Sequence, residues 1–212
     1  MRRHVVLACL AAAVFVTVCA IVLPVEHRVG LDMDVATWIA AHRGDTLVSA
    51  AKAASFAGSV FGIVPLSLLV AWYLQRRDGW HSVRWYAIAI IGATIVYLAL
   101  NHVFDRDRPP IGLRLALDTR WSFPSGHSTQ AIVFWPMTAL LVTARRPPSV
   151  QLYALGVALV CALAIGGSRI CLCAHWTTDV LGGFALGACW LACVLAWRAR
   201  AGLTPAVRIE AE

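Results

Sequence analysis

Residues 85–104, WYAIAIIGATIVYLALNHVF, hold no Asp, Glu, Lys or Arg and end against Asp105-Arg106-Asp107-Arg108-Pro109-Pro110. An apolar stretch of roughly 20 residues is what a helix needs to cross the hydrocarbon layer, where each backbone polar group must be satisfied inside the segment. Five more uncharged runs surround it: Val5 to Val25, Ala53 to Gln75, Trp121 to Ala144, Pro147 to Ser168 and Val180 to Trp197. The chain of 212 residues is 60% hydrophobic and only 14% charged. Soluble domains are about 45–50% apolar and about 25% charged, so a large soluble domain, a disordered protein and a disulfide-framed secreted module are excluded. The pattern predicts an all-α integral membrane bundle of six transmembrane helices. No linker, repeat or low-complexity stretch divides it, so a single domain is expected over residues 1–212.

The formal net charge is +7. Nucleic acid binding is the first thought for such a chain, but arginines flanking membrane helices follow the positive-inside bias and need no polyanion. With the amino terminus cytoplasmic, the inner side receives Arg2, Arg3, Arg76, Arg77, Arg84, Arg145, Arg146, Arg198, Arg200 and Arg208, more than half of the 18 basic residues. Both termini are therefore expected in the cytoplasm, with no nucleic acid partner. The first run also has the form of a secretory signal, but Pro24-Val25-Glu26 lacks a small-residue cleavage pattern, so a retained helix is expected. Within Glu26 to Lys52, Val35, Trp38 and Ile39 fall at helical spacing, which predicts a short amphipathic helix on the membrane surface, capped by Asp32 or Asp34. Trp72, Trp80, Trp85, Trp121, Trp176 and Trp197 lie near run ends, where interfacial anchors are expected.

The two remaining connections emerge on the side opposite the termini. One carries Arg108-Pro109 and then Pro124-Ser125-Gly126-His127; the other carries Ser168-Arg169, His175 and Asp179. Pro-Ser-Gly at a helix entrance offers N–H groups and the positive helix end to an anion, and His127 in the first turn is a candidate to supply or withdraw a proton. Arg108 and Arg169 supply planar forks that match phosphate oxygens, and Ser168 adds a hydroxyl. If the last helix begins by Trp176, His175 and Asp179 share a face and form a nucleophile or base with its orienter. Each piece alone has a plainer reading: an ordinary helix start, an arginine snorkelling to the interface, a histidine–aspartate cap. A metal site built from Cys171, Cys173, His175 and Asp179 does not match common ligand spacings, and the adjacent arginines favour an anion. Five of the seven cysteines fall inside apolar runs and read as packing residues; Cys171 and Cys173, in a short connection, read as packing or as thiols without a role and are too close in sequence for an unstrained bridge to each other.

Taken together, these motifs resemble the type 2 phosphatidic acid phosphatase superfamily, membrane-bound branch, whose signature is Lys-x6-Arg-Pro, Pro-Ser-Gly-His and Ser-Arg-x5-His-x3-Asp. Every fixed residue but one is present, across a motif-bearing part at 101–179; the first-motif lysine is Asn101. The resemblance implies that His175 attacks phosphorus to give a phosphohistidine, Asp179 orients the ring, and His127 protonates the leaving group and then activates water. It further implies that Arg108, Ser125, Gly126, Arg169, Ser168 and Asn101 hold the phosphate, with no metal and no cofactor. Arg106 or His102 is the expected replacement for the missing lysine charge. The implied substrate is a lipid phosphate or pyrophosphate, such as undecaprenyl pyrophosphate or phosphatidic acid. The expected location is the bacterial inner (plasma) membrane, and the charge bias places the active site on the extracytoplasmic side. A lipid phosphotransferase and a non-catalytic lipid-phosphate binding protein are the alternatives.

Overall fold

The structure, a computed structural model, describes residues 2–22, 30–116 and 121–202. Arg28, Arg120, Arg208 and the Pro24-Val25-Glu26 stretch lie outside them. Eight α-helices are present among the described residues: α1 (Arg2–Val22), α2 (Gly30–His42), α3 (Asp45–Ala57), α4 (Val60–Asp78), α5 (Trp80–Phe104), α6 (Gly126–Val142), α7 (Pro148–Cys171) and α8 (Thr177–Ala201). A 3-10 turn spans Ile111–Leu113, and no strand occurs among the described residues. Among the described residues four helices are long and apolar enough to cross a membrane, α1 from His4, α5, α7 and α8, or five spans if the bent pair α3–α4 counts as one.

Two expected runs take a different form. The run from Ala53 to Gln75 is not one helix: α3 and α4 meet at Gly58-Ser59 with a bend of 48°. Ser59 is extended (φ −77°, ψ 169°) and restarts the helix, and a Cβ on Gly62 would stand 2.6 Å from the Ala57 carbonyl oxygen, so glycine lets the two helices stack there. The run from Trp121 becomes helical only at Gly126, because residues 121–125 form a loop, and α6 keeps 17 residues. At 1.5 Å per residue α6 is about 25 Å long. By contrast α4 and α5 are separated by Gly79 alone, whose φ of +71° is the left-handed conformation that glycine adopts without a Cβ penalty.

The main core lies between α4, α5, α6 and α8, with Leu74, Trp85, Tyr86, Phe134, Met137 and Val194 fully enclosed. Small residues of α8 bring α6 close: a Cβ on Gly183 would sit 2.6 Å from the Ser125 carbonyl oxygen, and one on Gly187 2.6 Å from that of Thr129. Such close approach is how helices gain van der Waals contact when water supplies no driving force between them. Outward faces remain apolar, including Leu10, Val14, Leu68, Ile95, Leu152 and Leu163, as lipid contact requires. Trp85 and Trp176 are 2% exposed, so they are packing residues and not the interfacial anchors expected, whereas Trp72, Trp80 and Trp197 are exposed.

The helices of this core alternate in direction. Ser122 N–H on the Arg106 carbonyl (2.8 Å) ties the end of α5 to the loop before α6, and Ser125 N–H on the Asp179 carbonyl (3.1 Å) ties the start of α6 to that of α8. At the opposite end, Arg77 closing α4 donates to the Leu141 and Val142 carbonyls that close α6, both at 2.5 Å. Helices α2 and α3 pack at the first end, α3 against the last turns of α7. The α2 face bearing Met33, Ala36 and Ile39 packs on Cys173 and Trp176, and Ala51 of α3 packs on Cys171 and Leu172. Asp32 and Asp34 do not cap α2, which already begins at Gly30; Asp32 is turned inward and 1% exposed. Val35, Trp38 and Ile39 line a shallow groove with Asp34, and Trp38 stacks on His42 at 4.7 Å.

Candidate active site

The loops at the first end are fixed largely by their own backbone. Asp105 closes α5 in the left-handed conformation (φ 48°), and Cys173 takes the same conformation (φ 49°) in the turn between α7 and α8. That turn folds back so that the Arg169 carbonyl accepts from Ala174 N–H (2.9 Å) and His175 N–H (3.3 Å). Arg43, at the end of α2, donates to the Cys171 carbonyl (3.0 Å), the Cys173 sulfur (3.3 Å) and the Leu113 carbonyl (2.7 Å), pinning the turn from outside. Cys171 and Cys173 are buried free thiols, as packing cysteines should be, and burial pushes the Cys173 thiol up.

His175 is 4% exposed and stands before α8, not on it, because that helix begins at Thr177. Its Nδ1 lies 2.8 Å from the Ser122 carbonyl oxygen and 3.4 Å from Asp179 Oδ2. A carbonyl oxygen only accepts, so Nδ1 carries the proton and Nε2 presents its lone pair. Arg108 Nη1 lies 3.2 Å from that Nε2 while donating to the Ala174 carbonyl at 2.6 Å. The expected orienter, Asp179, is thus in place but shares the task with the nearer Ser122 carbonyl. Its Oδ2 also accepts from Trp176 N–H (2.9 Å), and its Oδ1 is held by Arg106 (2.5 Å).

His127 is the second residue of α6 and half-buried; a Cβ on Gly58 would lie 3.4 Å from its Cδ2, so the α3–α4 corner forms one wall beside the ring. Ser125 caps α6: its hydroxyl oxygen accepts from Ser128 Oγ (3.1 Å) and faces Ser128 N–H. At Gly126 a Cβ would meet the Tyr97 ring at 2.7 Å, so this glycine lets the first turn press against α5. Arg169 is 2% exposed and its guanidinium is held by Ser55 Oγ of α3. The structure therefore joins Arg108, His175 and Asp179 by direct contact, and ties in Ser125 and Arg169 through backbone bonds.

Two residues expected on phosphate point elsewhere. Ser168 donates its hydroxyl to the Ile165 carbonyl one turn back (2.6 Å), and Asn101 donates its amide to the Phe123 carbonyl (3.1 Å), steadying the loop whose Phe123–Pro124 peptide is cis. Nor does Arg106 stand in for the missing lysine: it is 0% exposed and its fork is spent on Asp179, Thr178 and Asp32. His102, the other substitute considered, is exposed. Sequence reasoning missed Asp32, Ser55 and Arg43 as supports of the site. Only the inward period of α2, with Asp32 one turn before Ala36, carried a signal for the first of them. Among the described residues, no three His, Cys, Asp or Glu side chains converge as metal ligands.

A family model described as the PAP2 superfamily matches residues 82–203, which contain every motif residue of this site. The chain belongs to the PAP2 superfamily. Among its relatives, phosphatidylglycerophosphatase B of Bacillus subtilis is 37% identical over 92 residues, 42% of this chain and 44% of that protein. A putative undecaprenyl-diphosphatase of Escherichia coli is 34% identical over 131 residues, 59% of this chain and 61% of that one. The chain thus spans less than two thirds of the length of these curated relatives. In fold it is similar to the crystal structure of a transmembrane PAP2-type phosphatidylglycerolphosphate phosphatase from Bacillus subtilis. The TM-score is 0.77 at 22% identity, covering 94% of this chain and 98% of that one. It is also similar to Aquifex aeolicus LpxE, with a TM-score of 0.62 at 23% identity over 79% of this chain and 96% of that one.

Proposed function

We propose that this protein is a membrane lipid phosphatase that hydrolyses a phosphomonoester or pyrophosphate of a lipid, with undecaprenyl pyrophosphate and phosphatidic acid as representative substrates. The observation that carries the reading is the placement of His175: Nδ1 lies 2.8 Å from the Ser122 carbonyl oxygen, and Nε2 lies 3.2 Å from Arg108 Nη1. Nε2 attacks phosphorus, a P–N bond forms, and the P–O bond to the lipid or lipid phosphate breaks as His127 gives that oxygen a proton. Water then attacks the phosphohistidine with His127 taking its proton, the P–N bond breaks, and phosphate leaves. Asp179 and the Ser122 carbonyl steady the imidazole as it gains positive charge. Arg108, Arg169 and the first-turn N–H groups of α6 neutralise the equatorial oxygens, where most of the transition-state charge resides. The names of the two curated relatives support this class of substrate.

In this reading α1, α4, α5, α6, α7 and α8 are the six crossings of one domain. Alternating helix directions then bring both termini to the end away from the site. Arg76, Arg84, Arg145, Arg146 and Arg200 are exposed and flank that end in sequence. By the positive-inside bias this end is cytoplasmic and the site extracytoplasmic, in a bacterial inner membrane. The test is phosphate release by purified protein in detergent with EDTA, on a panel of lipid phosphates and undecaprenyl pyrophosphate, beside His175→Ala. Release that vanishes in the variant supports the reading. Silence across the panel from folded wild-type protein, or transfer of phosphate to a lipid acceptor in place of water, would overturn it.

A further inference from the structure

We infer that Arg106 is a positioning residue for the reaction at His175: it acts through Asp179, is anchored on its far side by Asp32 of α2, and does not bind phosphate. The inference deepens the reading of the same site given above and takes its reacting atom, His175 Nε2, from it. Arg106, Asp32 and Asp179 are 0%, 1% and 0% exposed. Charges so enclosed persist only when paired and hydrogen-bonded, and the planar guanidinium is the cation best suited to bridging two carboxylates. Nη1 reaches Asp179 Oδ1 (2.5 Å) and Thr178 Oγ1 (2.8 Å), Nη2 reaches Asp32 Oδ2 (2.9 Å), and the Trp176 ring lies 5.7 Å from the guanidinium carbon. Asp32 in turn accepts from Thr178 N–H (3.0 Å) and from Thr178 Oγ1 (2.5 Å). The clamp therefore locks α2 to the first turn of α8.

Its bearing on the chemistry lies in the two oxygens of Asp179. Because Arg106 holds Oδ1, Oδ2 is left facing Trp176 N–H and the His175 ring. When Nε2 bonds to phosphorus, positive charge grows on that ring and the carboxylate stabilises it. Without Arg106 the enclosed carboxylate loses its counter-charge and either rotates or takes up a proton, and both remove negative charge from beside the imidazole. Arg108, two residues on, is the guanidinium that meets Nε2, so the two arginines of Asp-Arg-Asp-Arg-Pro divide the work: one faces the reacting nitrogen, the other holds the group behind it.

Oxyanion binding separates these roles without requiring turnover. Vanadate accepts a fifth ligand, so the Nε2 lone pair can form a V–N bond with nothing displaced; inorganic phosphate stays four-coordinate and is held by cations and N–H groups alone. Calorimetric Kd values for both anions would be measured on full-length wild type, Arg106→Gln, Arg106→Lys and Asp32→Asn in detergent. Arg106→Gln is expected to weaken vanadate by about tenfold or more, the usual size of an outer support's effect, while phosphate stays within about twofold. Arg106→Lys should recover part of the loss, and Asp32→Asn, which preserves shape, should show the same selective loss at smaller size and carries the test if Arg106→Gln does not fold. On phosphatidic acid kcat should fall with KM unchanged. Equal losses for both anions would make Arg106 a phosphate ligand, and no loss in folded Arg106→Gln or Asp32→Asn would make it scaffold alone; either overturns the inference. Wild type that binds both anions but releases no phosphate from lipid would sink the phosphatase reading and leave the selective vanadate loss to decide on Arg106. Affinity for neither anion in wild type would overturn both.

Discussion

At the end of the bundle where α5 and α7 finish, charged side chains are taken out of solvent and bonded across elements far apart in sequence: Arg106 to Asp179 over 73 positions and to Asp32 over 74. At the other end the bonds also span elements, Arg77 reaching the Leu141 and Val142 carbonyls, but the charges stay near the surface. Arg77 and Asp78 pair at 2.6 Å with side chains 17% and 14% exposed, and Arg145 reaches Asp78 while 69% exposed itself. Both ends carry arginine–aspartate pairs, yet they do different things. Enclosure is costly unless every partner is in place; in the proposed reaction the first end spends that stability on the geometry around His175. The second closes helix ends with cations, where the helix dipole favours them.

The contrast breaks most sharply at His175. His175→Ala should abolish phosphate release and leave the fold intact, since the ring sits in a polar loop and not in the apolar core; residual release at even a tenth of wild type in a folded variant would move the nucleophile elsewhere. Asp179→Asn should lower kcat by about 10²-fold or more, with a smaller change than the loss of His175 because the Ser122 carbonyl still holds Nδ1. A KM effect without a kcat effect would place Asp179 on substrate. Arg169→Gln should raise KM for lipid phosphate by about 10- to 100-fold, as loss of a charge-assisted hydrogen bond of about 1.5–3 kcal/mol does. At the opposite end, Arg77→Met should lower the melting temperature, for a cost of about 1–3 kcal/mol from the carbonyls and Asp78 left without it, and keep kcat within about twofold. Arg145→Ala should be the mildest, ~0–1 kcal/mol, because its pair is solvent-screened. A strong activity loss in either of these last two would erase the division between the ends.

The uncharged runs located α1, α5, α7 and α8 to within a few residues, because a membrane helix announces itself by the absence of charge. That same uniformity hid the rest. From Phe56 to Gly62 no charged residue marks the corner between α3 and α4, so the break at Gly58-Ser59 was invisible to hydropathy. Trp121 to Ser125 is equally uncharged and merged with α6. The motif residues were legible as chemistry, and Arg108, His175 and Asp179 do meet; their supports were not. A backbone carbonyl such as that of Ser122 has no sequence signature. Arg106 was visible as a charge, but nothing in its neighbourhood shows that its partners lie in α2 and α8. Asn101 reads as a departure at a phosphate position, whereas in the fold its amide steadies the Phe123 carbonyl. Trp176 looked like an interfacial anchor because it borders an apolar run, yet its Nε1 donates to the Asp107 carbonyl (2.8 Å) beneath the Arg106 guanidinium.

The central claim is that His175 Nε2 takes up the phosphoryl group. Rapid acid-free quenching of the full chain during turnover of phosphorus-labelled phosphatidic acid, followed by peptide mapping, tests it most directly. The account predicts a base-stable, acid-labile phosphoryl group on the peptide containing His175, absent in His175→Ala. Label on His127 or on Ser125, or sustained turnover with no protein-bound phosphate at any quench time, would contradict it.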